Sequence, residues 1–149
     1  MKKFIMAIIL AVTVTGFCSA QDYNWGIGVR GGAVATGITA KVSIDGQNAV
    51  EGILSLVNGV NFYGLYERHM PVISSGFSFY YGAGGNIGSW KRHSNKKFTV
   101  GIDGIIGLEY KIREVPLAFS VDYKPGLNFI GHSGFRGWYD FGASVKVAF

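Results

Sequence analysis

The sequence predicts an all-β fold, an eight-stranded antiparallel up-and-down β-barrel whose strands cross a membrane. Three observations carry that expectation. Apolar and polar residues alternate with a period of two in segment after segment. The N-terminus has the layout of an export signal. The chain is greasy, yet after residue 20 no apolar run approaches the length of a spanning helix.

The export element comes first. "MKKFIMAIILAVTVTGFCSAQD" places Lys2 and Lys3 before an apolar run from Phe4 to about Val14, then Cys18-Ser19-Ala20 before Gln21. Small residues at the last and third-last positions fit a cut after Ala20, making 1–20 a signal peptide and 21–149 the barrel. Lipidation at Cys18 is the rival reading, and bulky Phe17 fits it poorly. Cleavage removes the single cysteine, so no disulfide framework is expected. It also removes two of the 14 Lys and Arg, leaving 12 against 9 acids. A net charge of +3 is too mild to suggest a nucleic-acid partner.

The remaining composition is unusual for a soluble domain. Gly is 23 of 149 residues, aromatics reach 15%, and charged residues are 15% where about a quarter is ordinary.

Side chains on a strand alternate between two faces, so each segment can be phased. "YNWGIGVRGG" sends Trp25, Ile27 and Val29 outward and Arg30 inward. "TGITAKVSI" sends Ile38, Ala40, Val42 and Ile44 out, Thr39 and Lys41 in. "AVEGILSLV" sends Val50, Leu54 and Leu56 out, Glu51 and Ser55 in. "VNFYGLYERH" sends Phe62 and Tyr66 out, Asn61 and Glu67 in, and leaves Leu65 facing the lumen. "GFSFYYGAGGNIGSW" puts Phe77, Phe79, Tyr81, Ala83 and Ile87 opposite Ser78, Tyr80 and Asn86. "FTVGIDGIIGLEYKI" puts Val100, Ile102, Ile106, Leu108, Tyr110 and Ile112 opposite Asp103, Gly107, Glu109 and Lys111. "PLAFSVDYKPGLNFI" puts Leu117, Phe119, Val121, Tyr123, Leu127 and Phe129 opposite Ser120, Asp122, Lys124 and Asn128. "YDFGASVKVAF" puts Tyr139, Phe141, Ala143, Val145, Val147 and Phe149 opposite Asp140, Gly142, Ser144, Lys146 and Ala148.

Turn chemistry separates these segments at 44–48, 57–60, 69–76 and 113–116. Pro71 and Pro116 are expected at turn or strand-start positions, and Pro125 at a bulge or at the membrane exit of its strand. The glycines of "GAGGNIG" (82–88) read as small strand positions and bulges, since no helix follows to make a phosphate loop. An even strand count lets the sheet close, which lipid requires because it offers nothing to unpaired backbone groups.

An eight-stranded barrel has an interior just wide enough for side chains. The inward set gathers Arg30, Lys41, Lys111, Lys124 and Lys146 against Glu51, Glu67, Asp103, Glu109, Asp122 and Asp140. Near-cancellation is what a narrow interior demands, because an unpaired buried charge is very costly. The expected interior is therefore an ion-pair plug, neither a conducting pore nor a catalytic centre.

Both termini are expected on the periplasmic side, with 44–48, 69–76 and 113–116. Connectors near 32–36, 57–60, 89–98 and 130–138 then face outside. "WKRHSNKKF" supplies Lys91, Arg92, Lys96 and Lys97, and "IGHSGFRGW" supplies Arg136. These basic groups at the rim are candidates for pairing with lipopolysaccharide phosphates.

Catalysis is the rival class. His93-Ser94 and His132-Ser133 invite a lipid A hydrolase reading. Adjacent strand residues point to opposite faces, and the lipid A deacylases place His and Ser two apart, whereas "HSN" (93–95) lacks the spacer although Glu109 follows. His69 reads as a turn residue. No His, Cys and Asp cluster has metal-ligand spacing, and no cofactor is expected. A soluble lipocalin-like carrier would hide the apolar faces and show charge outward, which needs more exposed charge than these strands carry.

"GIDGIIGLEYKIREVPLAFSVDYKPGLNF" (101–129), "GLYERHMP" (64–71) and "YYGAGGNIGSW" (80–90) resemble small outer-membrane β-barrel proteins of Bacteroidota-type bacteria, similar in architecture to OmpA/OmpX-type barrels. The resemblance implies residence in a Gram-negative outer membrane among lipids and lipopolysaccharide, and passage through the barrel-assembly machinery. The close of the chain, with Asp140, Gly142, Val145, Val147 and Phe149, is similar to the terminal signal by which such barrels are recognised. The resemblance is nearly silent on activity, so a structural or surface-interaction role is the expectation.

Overall fold

The computed structural model describes residues 24–57, 59–73, 76–92, 95–112, 114–131, 134–136 and 139–149. The signal peptide expected over 1–20 lies outside the described residues, as do His93, Ser94, His132 and Ser133.

The strands are β1 (Trp25–Gly32), β2 (Gly37–Ser43), β3 (Asn48–Ser55), β4 (Asn61–Ile73), β5 (Phe77–Arg92), β6 (Asn95–Ile112), β7 (Leu117–Tyr123), β8 (Gly126–Ile130), β9 (Gly134–Arg136) and β10 (Phe141–Ala148). Each of β1 to β6 pairs antiparallel with the next, β6 pairs with β7 and β8, and β10 joins β7 to β1. β7 and β8 lie end to end along β6 and form one stave, while β9 folds back on β8. The result is a closed antiparallel barrel of eight staves. Closure pairs each stave on both sides, which removes the edges that an open sheet exposes.

The break between β7 and β8 falls at Pro125, which has no N–H to give a ladder. Its neighbours' backbone groups are still satisfied. Gly104 donates its N–H to the Pro125 carbonyl at 2.9 Å, and Lys124 donates to the Asp140 carbonyl at 2.9 Å.

The pairing register is a spiral. Starting at Phe119, partners run Val145, Val29, Ile38, Leu54, Phe62, Ile87 and Val100, and arrive at Ile130 on the stave where the circuit began. The circuit does not return to its own level, so the strands tilt against the barrel axis. Every residue on it is apolar. One residue along, the circuit Ser120, Ser144, Arg30, Gly37, Ser55, Asn61, Gly88 and Thr99 is polar or glycine throughout.

Burial follows the two circuits. Val29 is 62% exposed, Ile38 54%, Phe62 51% and Ile130 54%, whereas the largest fully buried side chains include Arg30, Lys41, Lys124 and Lys146. A fold in water ordinarily hides the first set and shows the second. Aromatic pairs stand on the exposed face towards either end: Phe77 against Tyr110, ring centres 4.4 Å apart, and Tyr123 against Phe141, 4.8 Å.

Several local expectations need correction. Residues 69–73 are strand, not turn, so both His69 and Pro71 lie within β4, Pro71 opposite Ser78, beside a register shift before Ile73. Within the segment 89–98, expected as a connector, residues 89–92 and 95–98 are strand. They form a ribbon in which Ser89, Trp90, Lys91 and Arg92 pair with Phe98, Lys97, Lys96 and Asn95. The glycines of 82–88 keep an unbroken register and form no bulge. Within 130–138, Ile130 ends β8 and Gly134–Arg136 make β9. At 69–73 and at 89–98, backbone pairing continues past the point where hydrophobic alternation stops.

Candidate functional site

Period-two alternation sends ten of the eleven charged residues assigned to the interior to positions that the sheet buries: Arg30, Lys41, Glu51, Glu67, Asp103, Glu109, Asp122, Lys124, Asp140 and Lys146. The eleventh, Lys111, is half-buried at the end of β6. Leu65 faces inward beside Tyr63 and Glu67, which settles the phase of β4.

The interior charges form two groups along the axis. Near the terminal end, the Lys41 ammonium contacts Glu51 Oε2 at 3.2 Å, Glu67 Oε2 at 2.7 Å and Glu109 Oε2 at 3.2 Å. These carboxylates come from β3, β4 and β6, so one cation ties three staves to its own. Lys146 reaches Glu51 Oε1 at 3.1 Å and Glu109 Oε2 at 3.9 Å. Thr39 donates its hydroxyl to Glu51, and Lys41 lies 4.4 Å from the Tyr80 ring centre. His69 stacks on Tyr80 and places Nε2 3.2 Å from Glu67 Oε2.

Towards the far end, Arg30 grips Asp122 with two donors, Nη2 to Oδ1 at 2.5 Å and Nε to Oδ2 at 3.4 Å. The same guanidinium donates to the Ala35 carbonyl at 2.5 Å and sits 3.5 Å from Asp140 Oδ2. Lys124 lies 3.3 Å from both Asp103 and Asp140 and 3.9 Å from the Tyr63 ring centre. Asn86 donates to Asp103 at 2.5 Å, and Asp140 Oδ1 accepts from the backbone N–H of Val34 at 2.8 Å. The planar fork of arginine suits this two-point grip, and the ammonium of lysine suits the three-carboxylate hub.

Four buried cations therefore face six buried carboxylates among the described residues. In a narrow, poorly solvated interior such pairs persist because neither partner has an alternative. A small polar recess remains among Tyr63, Asn86, Asp103, Lys124, Asn128 and Asp140, with room for about one water. No group of three or more His, Cys, Asp or Glu able to hold a metal occurs among the described residues. Chemically, the arrangement fills and cross-links the lumen.

Some participants escaped sequence reasoning. Tyr63 shares the phase of Asn61 and Glu67, so its inward position was readable, but its place over Lys124 was not. The Ala35 carbonyl has no sequence signal at all.

At the far end, Lys91, Lys96 and Lys97 are exposed. The side chains of Arg92 and Arg136 lie outside the described residues. Of the residues assigned to an assembly signal, Val145 and Phe149 are exposed, Val147 is half-buried and Asp140 is buried. Gly142 adjoins Arg30: a Cβ built there would stand 2.5 Å from the guanidinium carbon.

No protein-family model matches this chain, and no curated protein is similar enough to count as a relative.

Proposed function

We propose that this chain is an integral β-barrel of a bacterial outer membrane, exported through a cleaved signal peptide, with a structural or surface-interaction role. The observation that carries the reading is the inverted partition of the sheet. The apolar circuit from Phe119 to Ile130 faces outward around the whole barrel, and the charged residues face inward. Burying apolar surface is worth about 25 cal/mol per Å², so a belt of this kind left in water would drive aggregation. Hydrocarbon removes that cost, and the closed ring meets lipid's demand for satisfied backbone groups.

Orientation follows from the termini. Trp25 and Phe149 exchange backbone hydrogen bonds at 3.1 and 2.9 Å, so the first and last strands share one end, assigned to the periplasm. The β5–β6 ribbon then rises on the outer side, where its basic residues meet the anionic headgroups of lipopolysaccharide. The filled lumen supports a closed scaffold over a pore, and the small recess among the described residues is polar, unlike the apolar cavity of a lipocalin-like carrier. Assembly through the barrel-assembly machinery belongs to the same proposal.

The test is refolding of the purified chain 21–149 in buffer, in detergent micelles and in lipid vesicles. Under this reading, β-structure forms and persists only with detergent or lipid. A stable, monodisperse β-fold in plain buffer overturns it.

A further inference from the structure

The basic residues at the far end are not equivalent, and the ribbon explains why. Partners across an antiparallel pair share a face. Ser89 pairs with Phe98 and Lys91 with Lys96, in phase with outward-facing Ile87, Val100 and Ile102. Trp90 pairs with Lys97, in phase with buried Thr99, on the face that overlooks the barrel mouth. Moving up the outer face, apolar Ile87 and Val100 give way to Ser89 and Phe98, and then to Lys91 and Lys96. At about 3.3 Å per residue, the lysine pair stands roughly 7 Å beyond Phe98.

Two lysines directly opposite one another on a ribbon repel, which is an unfavourable arrangement unless an anion lies between them. Neither has an ion-pair partner among the described residues. The far end supplies none: segments 31–36, 56–61, 88–100 and 129–139 contain no Asp or Glu, and Asp140 is fully buried. The opposite end differs, carrying Asp45, within electrostatic reach of Arg68, and Glu114.

We infer that Lys91 and Lys96 form a phosphate site for a membrane lipid headgroup, with Phe98 against the acyl boundary beneath it. The inference rests on the membrane reading above and narrows its lipid contact to one face of the ribbon. A tetrahedral phosphate carries enough charge for two ammonium groups, and a headgroup lies at the height where the apolar column stops. Lys97 points over the mouth and takes no part.

The experiment uses the full barrel in zwitterionic lipid vesicles and in detergent, with diphosphoryl lipid A, its enzymatically dephosphorylated form, and inorganic phosphate as probes. Lys91→Gln and Lys96→Gln are each expected to weaken diphosphoryl lipid A binding at least fivefold, and Lys97→Gln less than twofold. The dephosphorylated lipid should bind all proteins alike and weakly. Equal losses for the three variants, no loss at all, or undiminished binding of the dephosphorylated lipid overturns the site. Inorganic phosphate binding as tightly as the lipid overturns the lipid source. A parent chain that fails to insert into vesicles overturns the membrane reading with it, whereas insertion without lysine dependence overturns the site alone.

Discussion

Lys41 and Glu109 stand on opposite walls of the barrel, four staves apart in either direction, yet their charged atoms are 3.2 Å apart. A contact across the full diameter closes the lumen at that level. It also makes Lys41 the shared counter-ion of Glu51 and Glu67. Replacing it leaves three buried carboxylates close together, with Lys146 against Glu51 and Glu109 and His69 against Glu67. Lys41→Met is expected to cost about 3–5 kcal/mol, the range for breaking a buried ion pair. Denaturant unfolding in detergent measures it, and a loss under 1 kcal/mol would remove the hub from the account of stability.

Arg30, Asp122 and Gly142 should behave as one unit. Asp122→Ala strands the guanidinium, and Gly142→Val displaces it from the carboxylate, because the valine would claim its space. Each change is expected to destabilise the barrel by about 3–5 kcal/mol. The double variant should cost clearly less than the sum, since both remove the same interaction. Full additivity would show that Gly142 is needed for something else, such as recognition during assembly.

The turn after β2 offers a pH test beyond the apolar belt of the barrel. Asp45 accepts from the Asn48 side chain at 2.7 Å, from its backbone N–H at 2.7 Å, and from Gln47 N–H at 3.2 Å, with Gly46 at φ 77° in the turn. These bonds favour the charged form, Asn48's side chain most, and hold the carboxyl below the ordinary aspartate range. A depressed folded-state value contributes stability that is full above the unfolded value and is lost as pH falls through the folded one. Asn48→Ala should therefore move the Asp45 titration, followed by NMR, upward towards ordinary aspartate. An unmoved titration would discard the turn's hydrogen bonds as its cause.

Protease access separates the two ends of the charge pattern. On intact Gram-negative cells expressing the chain, trypsin should cut within 91–97 and leave Lys41, Lys124 and Lys146 untouched. Cleavage at the interior lysines in the folded barrel would contradict their burial, and a wholly resistant ribbon would count against the outer placement proposed for it.

Alternation at period two is a local property of a strand, so the facing of Val29 against Arg30, or of Val145 against Lys146, is written in the chain itself. That local rule also bounded the interior set, because a charge in the inward phase at the level of the apolar belt has only the lumen to occupy. It could not say which partner each would meet. Lys41 and Glu109 are 68 residues apart, and Arg30 and Asp122 are 92 apart. Their contact depends on the tilt and closure of eight staves.

Closure likewise decided what alternation misjudged. Backbone hydrogen bonding is indifferent to side-chain polarity, so β4 runs through His69 and Pro71, and β5 and β6 zip on through Lys91 and Lys96. A polar stretch read as loop became a ribbon with two distinct faces. The sequence alone determined which side of each strand is apolar. The fold decided the height and the neighbours at which each charge sits, because those depend on long-range register and not on the residue next door.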